Sequence, residues 1–112
     1  MVRSLGQRPV AGSGEDPRVT ELRVAVSRLR RQLAAYPAEL PDRPIAEEEL
    51  AALAAMTVGG VPETDRLHRS LLLLAGAIGS VSALAQGLTR VRAAVELFGE
   101  RRRGAMDGGA SG

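Results

Sequence analysis

Cysteine, lysine, asparagine and tryptophan are absent from this sequence, and histidine, phenylalanine and tyrosine occur once each. Without cysteine there is neither a disulfide nor a thiolate zinc site, and a reducing cytoplasm is the default compartment. Histidine chemistry rests on His68 alone. Asp65 lies three residues before it, so the two can meet on one helical face; the spacing reads as a solvated surface pair and not as a general base. Glu47, Glu48 and Glu49 are consecutive and fan out around a helix instead of converging on one ion. No serine lies in a G-x-S-x-G turn, and Gly59-Gly60-Val61 is a turn with neither the dinucleotide nor the Walker spacing. The expectation is a protein with no catalytic residue, no cofactor and no metal, hence not an enzyme.

The missing lysine also changes how the charge is read. All fifteen basic residues are arginine and the pI is near 10.3, yet the net charge is only +2. Alanine, glycine, leucine, arginine and valine dominate, the usage of a GC-rich coding sequence, so arginine here is as much a codon habit as a choice for phosphate contacts. Residues 17–36 carry +4 and residues 37–60 carry −4, so adjacent stretches can neutralise each other. Arg23, Arg28, Arg30 and Arg31 give the first helix a basic outer face, and Arg101, Arg102 and Arg103 form a cluster near the end. Nucleic-acid binding is not expected from either, because no aromatic residue is available for base stacking and no helix-turn-helix is evident. Arg3 and Arg8 are followed by VAGSGEDP and not by an apolar run, which predicts no secretory leader and a cytoplasmic protein.

What is present is helix. Residues 1–16 and 100–112 are rich in Gly, Ser and Arg with no sustained apolar period and are expected to be disordered tails around a helical domain at 17–99. Asp16-Pro17 announces a first helix, with aspartate as N-cap and proline at the first helical position. Val19, Leu22, Val26, Leu29, Leu33 and Tyr36 follow at spacings of three and four, a coiled-coil-like seam that Pro37 ends at residue 36. After the proline-rich linker PAELPDRP, a second helix is predicted over about 46–57. Glu47–Glu49 are placed in its first turn, and Ile45, Leu50, Leu53 and Met56 form its apolar stripe. Gly59-Gly60 stops it. A third helix is expected from about 62 to 98, with Gly99 as terminator and a kink near Gly76–Gly79 as its likeliest interruption. The fold expected is therefore all-α: a three-helix, up-down-up bundle with a long C-terminal helix.

Ser70 to Thr89 is twenty residues without a charge, long enough to span a membrane. Its glycines, serines and Gln86 make it marginal in hydrophobicity, and no Trp or Tyr marks an interface. A helix buried at the centre of a bundle is preferred, with a single-pass span at 70–89 as the alternative. Small residues recur every fourth position at Ala75, Gly79, Ala83 and Gly87, a ridge that lets helix backbones approach closely. Leu71-Leu72-Leu73-Leu74 is expected to be absorbed into the core.

The stretch RSLLLLAGAIGSVSALAQGLTRVRAAVELFG resembles the C-terminal helix of small uncharacterised helical proteins of high-GC actinobacteria, and DPRVTELRVAVSRLRRQL resembles their first helix. The resemblance covers about residues 16–99 and implies a helical bacterial protein, with no activity, cofactor or functional residue attached.

A predicted third helix of ~55 Å would outreach predicted partners of ~30 and ~18 Å. Its C-terminal stripe, Leu84, Leu88, Val91, Val95 and Phe98, would then stay partly exposed. Together with the small-residue ridge it is the expected interaction surface, pairing two copies as a homodimer or receiving a helical partner; the alternative is a third helix that folds back at Gly76–Gly79 and buries the stripe within one chain. The function expected is an interaction or adaptor module.

Overall fold

The computed structural model describes residues 15–111, with side chains described for residues 15–99. Residues 1–14, most of the expected N-terminal tail, lie outside the described residues, as do the side chains of Arg101–Arg103. Among the described residues the chain is all-helical, with four helices and no strand: α1 (Pro17–Ala35), α2 (Arg43–Met56), α3 (Thr64–Ile78) and α4 (Ser82–Ser111).

α1 starts where its local chemistry directs. Asp16 is extended and its Oδ1 accepts from the Arg18 backbone N–H at 2.9 Å, satisfying one of the first-turn donors that the helix leaves open. Pro17 needs no donor there. The seam is buried at Val19, Leu22, Val26, Leu29 and Leu33, while Tyr36 is the half-buried C-cap, extended ahead of Pro37.

α2 begins at Arg43, before the expected start at residue 46, because Pro44 is tolerated in a first turn. Two expectations change with it. The buried stripe is Ala46, Leu50 and Leu53, continued by the C-cap Thr57, and Ile45, one position out of phase, is 43% exposed. Glu47–Glu49 fall past the first turn, where the macrodipole no longer favours them. Thr57 is buried with its hydroxyl satisfied, donating to the Ala54 carbonyl at 2.6 Å. In the connection that follows, Gly60 has φ 109°, a left-handed conformation that a side chain disfavours.

The long third helix is two helices, so the three-helix count is corrected to four. The anticipated kink is a full reversal at residues 79–81: the Gly79 N–H closes α3 on the Ala75 carbonyl at 2.7 Å, and the Leu84 N–H opens α4 on the Val81 carbonyl at 2.9 Å. A Cβ on Gly79 would collide with the Ala75 carbonyl oxygen, so this turn needs a residue without one. Gly87 and Gly99, by contrast, sit inside α4, which continues past Gly99 instead of ending there. Neither adopts the positive φ with which glycine often ends a helix; among the described residues only Gly60, beyond the Thr57 C-cap of α2, has positive φ.

Each helix packs on two others, α1 on α2 and α4 and α3 on α2 and α4, and among the described residues no backbone approach joins the diagonal pairs. Arg23 reaches Thr57 and Arg43 reaches Leu33, which makes α1 and α2 antiparallel. Arg18 lies over Phe98, and Leu29 and Gln32 face Gly87, which does the same for α1 and α4. Gly99 faces Thr64 and His68, so α3 and α4 are antiparallel too. The result is an up-down-up-down ring around one core.

Candidate functional site

The fold-back settles where the expected contact stripe lies. Leu84, Leu88, Val91, Val95 and Phe98 are all buried within the single chain, in the core shared with α1 and α3. The overhang that would have exposed them does not exist, because α3 and α4 lie side by side. The small-residue ridge is split by the reversal. Ala75 is half-buried on α3, Gly79 is exposed in the turn, and Ala83 is exposed near the start of α4. Gly87 alone makes the close approach expected of the ridge: a Cβ there would meet Gln32 Oε1 and stand 2.9 Å from Leu29 Cδ1. Of the four, only Gly87 thus serves α1–α4 packing inside the chain. Of the four consecutive leucines, Leu71 and Leu74 are buried while Leu72 is 75% exposed and Leu73 half exposed.

The uncharged run is divided between the end of α3 and the start of α4, and no helix of the described residues is long and apolar enough to cross a membrane. His68 and Asp65 are both exposed, and among the described residues no hydrogen bond or ion pair joins them. No group of three or more metal-ligating side chains is gathered among the described residues.

Three arginines act as structural fasteners that sequence patterns alone do not reveal. Arg43, in the first turn of α2, donates through Nη1 to the Leu33 carbonyl at 2.7 Å and through Nη2 to the Tyr36 carbonyl at 2.8 Å. It thereby adds a charged donor at the carbonyl end of α1, where the Leu33 carbonyl also accepts from the Tyr36 N–H at 3.1 Å, and places a cation at the negative end of that helix. Arg23 bridges Glu15 at 2.6 Å and the Thr57 carbonyl at 3.0 Å, tying the start of α1 to the end of α2. Arg18 pairs with Asp16 at 2.6 Å. The Glu15 carboxyl accepts from the Thr20 hydroxyl at 2.5 Å as well as from Arg23, and the hydroxyl first, then the guanidinium, hold its pKa below the usual carboxylate range.

A groove of about 540 Å³, partly open to solvent, lies between α1 and α4. Ala25 and Ala94 form its floor, and Val24, 53% exposed, stands on the α1 lip opposite Ala93. Because the two helices run antiparallel, Glu21 and Leu97 mark one end while Arg28 and Arg90 mark the other. None of these three charged side chains has an ion-pair or hydrogen-bond partner among the described residues. The groove was hidden in the sequence because its floor is alanine. Only after α4 is laid against α1 do Ala25, Ala93 and Ala94 become a trough.

Among known proteins, a model described as a family of unknown function, DUF5955, matches residues 11–99. That span holds the four-helix ring as far as the last described side chain. No curated protein and no solved structure matches the chain.

Proposed function

The chain belongs to the DUF5955 family, and on that footing we propose that it is a cytoplasmic, non-enzymatic helical protein-interaction module whose docking surface is the groove between α1 and α4. The observation that carries the reading is the groove itself, an apolar floor rimmed by the charges of Glu21, Arg28 and Arg90, which have no partner among the described residues. Specific protein contacts have this anatomy, an apolar centre with a polar rim. The alanine floor lets a partner helix seat its ridge between those of α1 and α4. Sites for small molecules enclose most of their ligand's surface, whereas this groove is partly open to solvent.

The test is a photo-crosslinking residue placed at Val24 in the living cell, with a control at Leu72 on α3. Discrete protein adducts from Val24 and none from Leu72 are the expected result. A Val24 probe that forms no protein adduct overturns the reading.

A further inference from the structure

We propose that the occupant of the α1–α4 groove is a second copy of this chain, docked face to face about a two-fold axis that crosses α1 between Val24 and Ala25. The inference rests on the interaction reading above and names its partner. It follows from where the charges stand. Glu21 and Arg28 lie at equal distances on either side of that point, at the two ends of the groove. A two-fold axis lying in the contact plane and perpendicular to α1 sets α1 antiparallel on α1 of the second copy. Glu21 of each copy then faces Arg28 of the other, and Val24 meets Val24 at the centre. The same operation puts Ala93 and Ala94 of the two α4 helices at one level, where small side chains permit close approach. It also sets Arg90 against Leu97 of the second copy, whose apolar surface its aliphatic stem can cover.

The other face-to-face solution, with the axis along the helices, brings Arg28 and Arg90 of both copies to one end and both Glu21 carboxylates to the other. Like charges opposed in that way select against it. The charge pattern thus specifies both the partner and its orientation, by self-complementarity of the kind an isologous contact requires. With α1 nineteen residues long, two adjacent helices offer a face on the order of 550 Å² per copy. That is the low end for a specific interface, so the dimer exchanges readily with monomer.

Sedimentation equilibrium of the full chain over a concentration series, at low ionic strength, is the experiment. The expected result is a concentration-dependent shift from the 11.7 kDa chain mass toward twice that value. Glu21→Arg or Arg28→Glu alone should weaken association by roughly tenfold, since two facing pairs become two like-charged pairs. Glu21→Arg combined with Arg28→Glu should restore it. Both side chains are exposed, and circular dichroism checks that the variants fold. A monomer at every concentration, a dimer indifferent to the single reversals, or a double swap that fails to recover association overturns the proposal. If the chain is monomeric and Val24 still crosslinks to other proteins, the second copy is excluded while the groove reading stands. No Val24 adduct of any kind removes both.

Discussion

The guanidinium of Arg18 lies over the ring of Phe98, its Cζ 4.8 Å from the ring centroid, and so joins the first turn of α1 to a buried residue of α4. The cation is attracted to the ring face, and the ring in turn fills the core between the two helices that make the groove. Phe98→Ala is expected to lower unfolding free energy by about 3–5 kcal/mol, the usual cost of removing a buried phenyl ring. Leu72→Ala, at an exposed position, should change it by less than about 0.5 kcal/mol. Urea denaturation of the two variants separates the cases; equal, small losses would show that Phe98 is not part of the chain's own core.

Two glycines in helices should respond to alanine with opposite sign. Gly76 has open space where a Cβ would stand, so Gly76→Ala should stabilise by about 1 kcal/mol through helix propensity alone. A Cβ added at Gly87 would stand 2.9 Å from Leu29 Cδ1, and the overpacking cost of about 1–3 kcal/mol outweighs the same propensity gain. Thermal melts of the pair give the comparison, and a stabilising Gly87→Ala would mean that α1 and α4 are less closely apposed than described.

How far the sequence speaks is visible in these same positions. α1 was legible throughout, since its cap, its seam and its stop are local signals in Asp16, the spacing from Val19 to Leu33, and Pro37. The reversal after Ile78 was legible only as the alternative to a continuous helix. Gly76, Gly79 and Gly87 look alike in sequence, and which of them turns the chain depends on whether a neighbour, here the Ala75 carbonyl, crowds the missing side chain. The loss of that one feature displaced the whole functional reading, because a straight helix exposes Leu88 and Val95 whereas a folded one buries them. Arg43 was hidden for a different reason. It sits in a linker that reads as loop, and its partners are backbone carbonyls, which leave no trace in the sequence.

Ser70 is buried, and its hydroxyl has no hydrogen-bond partner among the described residues. A buried polar group left in that state is costly. Ser70→Ala should therefore raise stability by about 1 kcal/mol, helped by alanine's higher helix propensity. Calorimetric melting of the variant is the check, and a loss of stability would reveal a partner for the hydroxyl.

Arg43→Ala should cost about 2 kcal/mol, because it strips a charged donor from the Leu33 and Tyr36 carbonyls at once. Arg43→Lys keeps the charge but not the fork, and should recover less than half of the loss. Chemical denaturation measures both, and full recovery with lysine would show that the charge alone matters.

Acid should loosen the start of α1. The folded-state pKa of Glu15 lies below its unfolded value, through Thr20 first and then Arg23. The stabilisation it supplies is accordingly full above the unfolded value and is lost as pH falls through the folded one. Comparing melting temperatures of the native chain and Glu15→Gln across the acid range should show a difference at neutral pH that closes on acidification. A difference that persists unchanged at low pH would contradict the assignment.

The ring is closed by its first and last helices, and this bears on when the surface exists at all. α2 with α3, and α3 with α4, can pair across short connections, but α1 must await α4 to complete the ring, the most distant pairing in the fold and the one with the largest loop-closure entropy. During synthesis the apolar face of α1 stays incompletely covered until the ribosome has delivered the chain as far as Phe98. A molecule whose last helix detaches loses the trough. Docking at this seam would therefore admit only finished molecules, making recognition itself an inspection of whether folding has been completed.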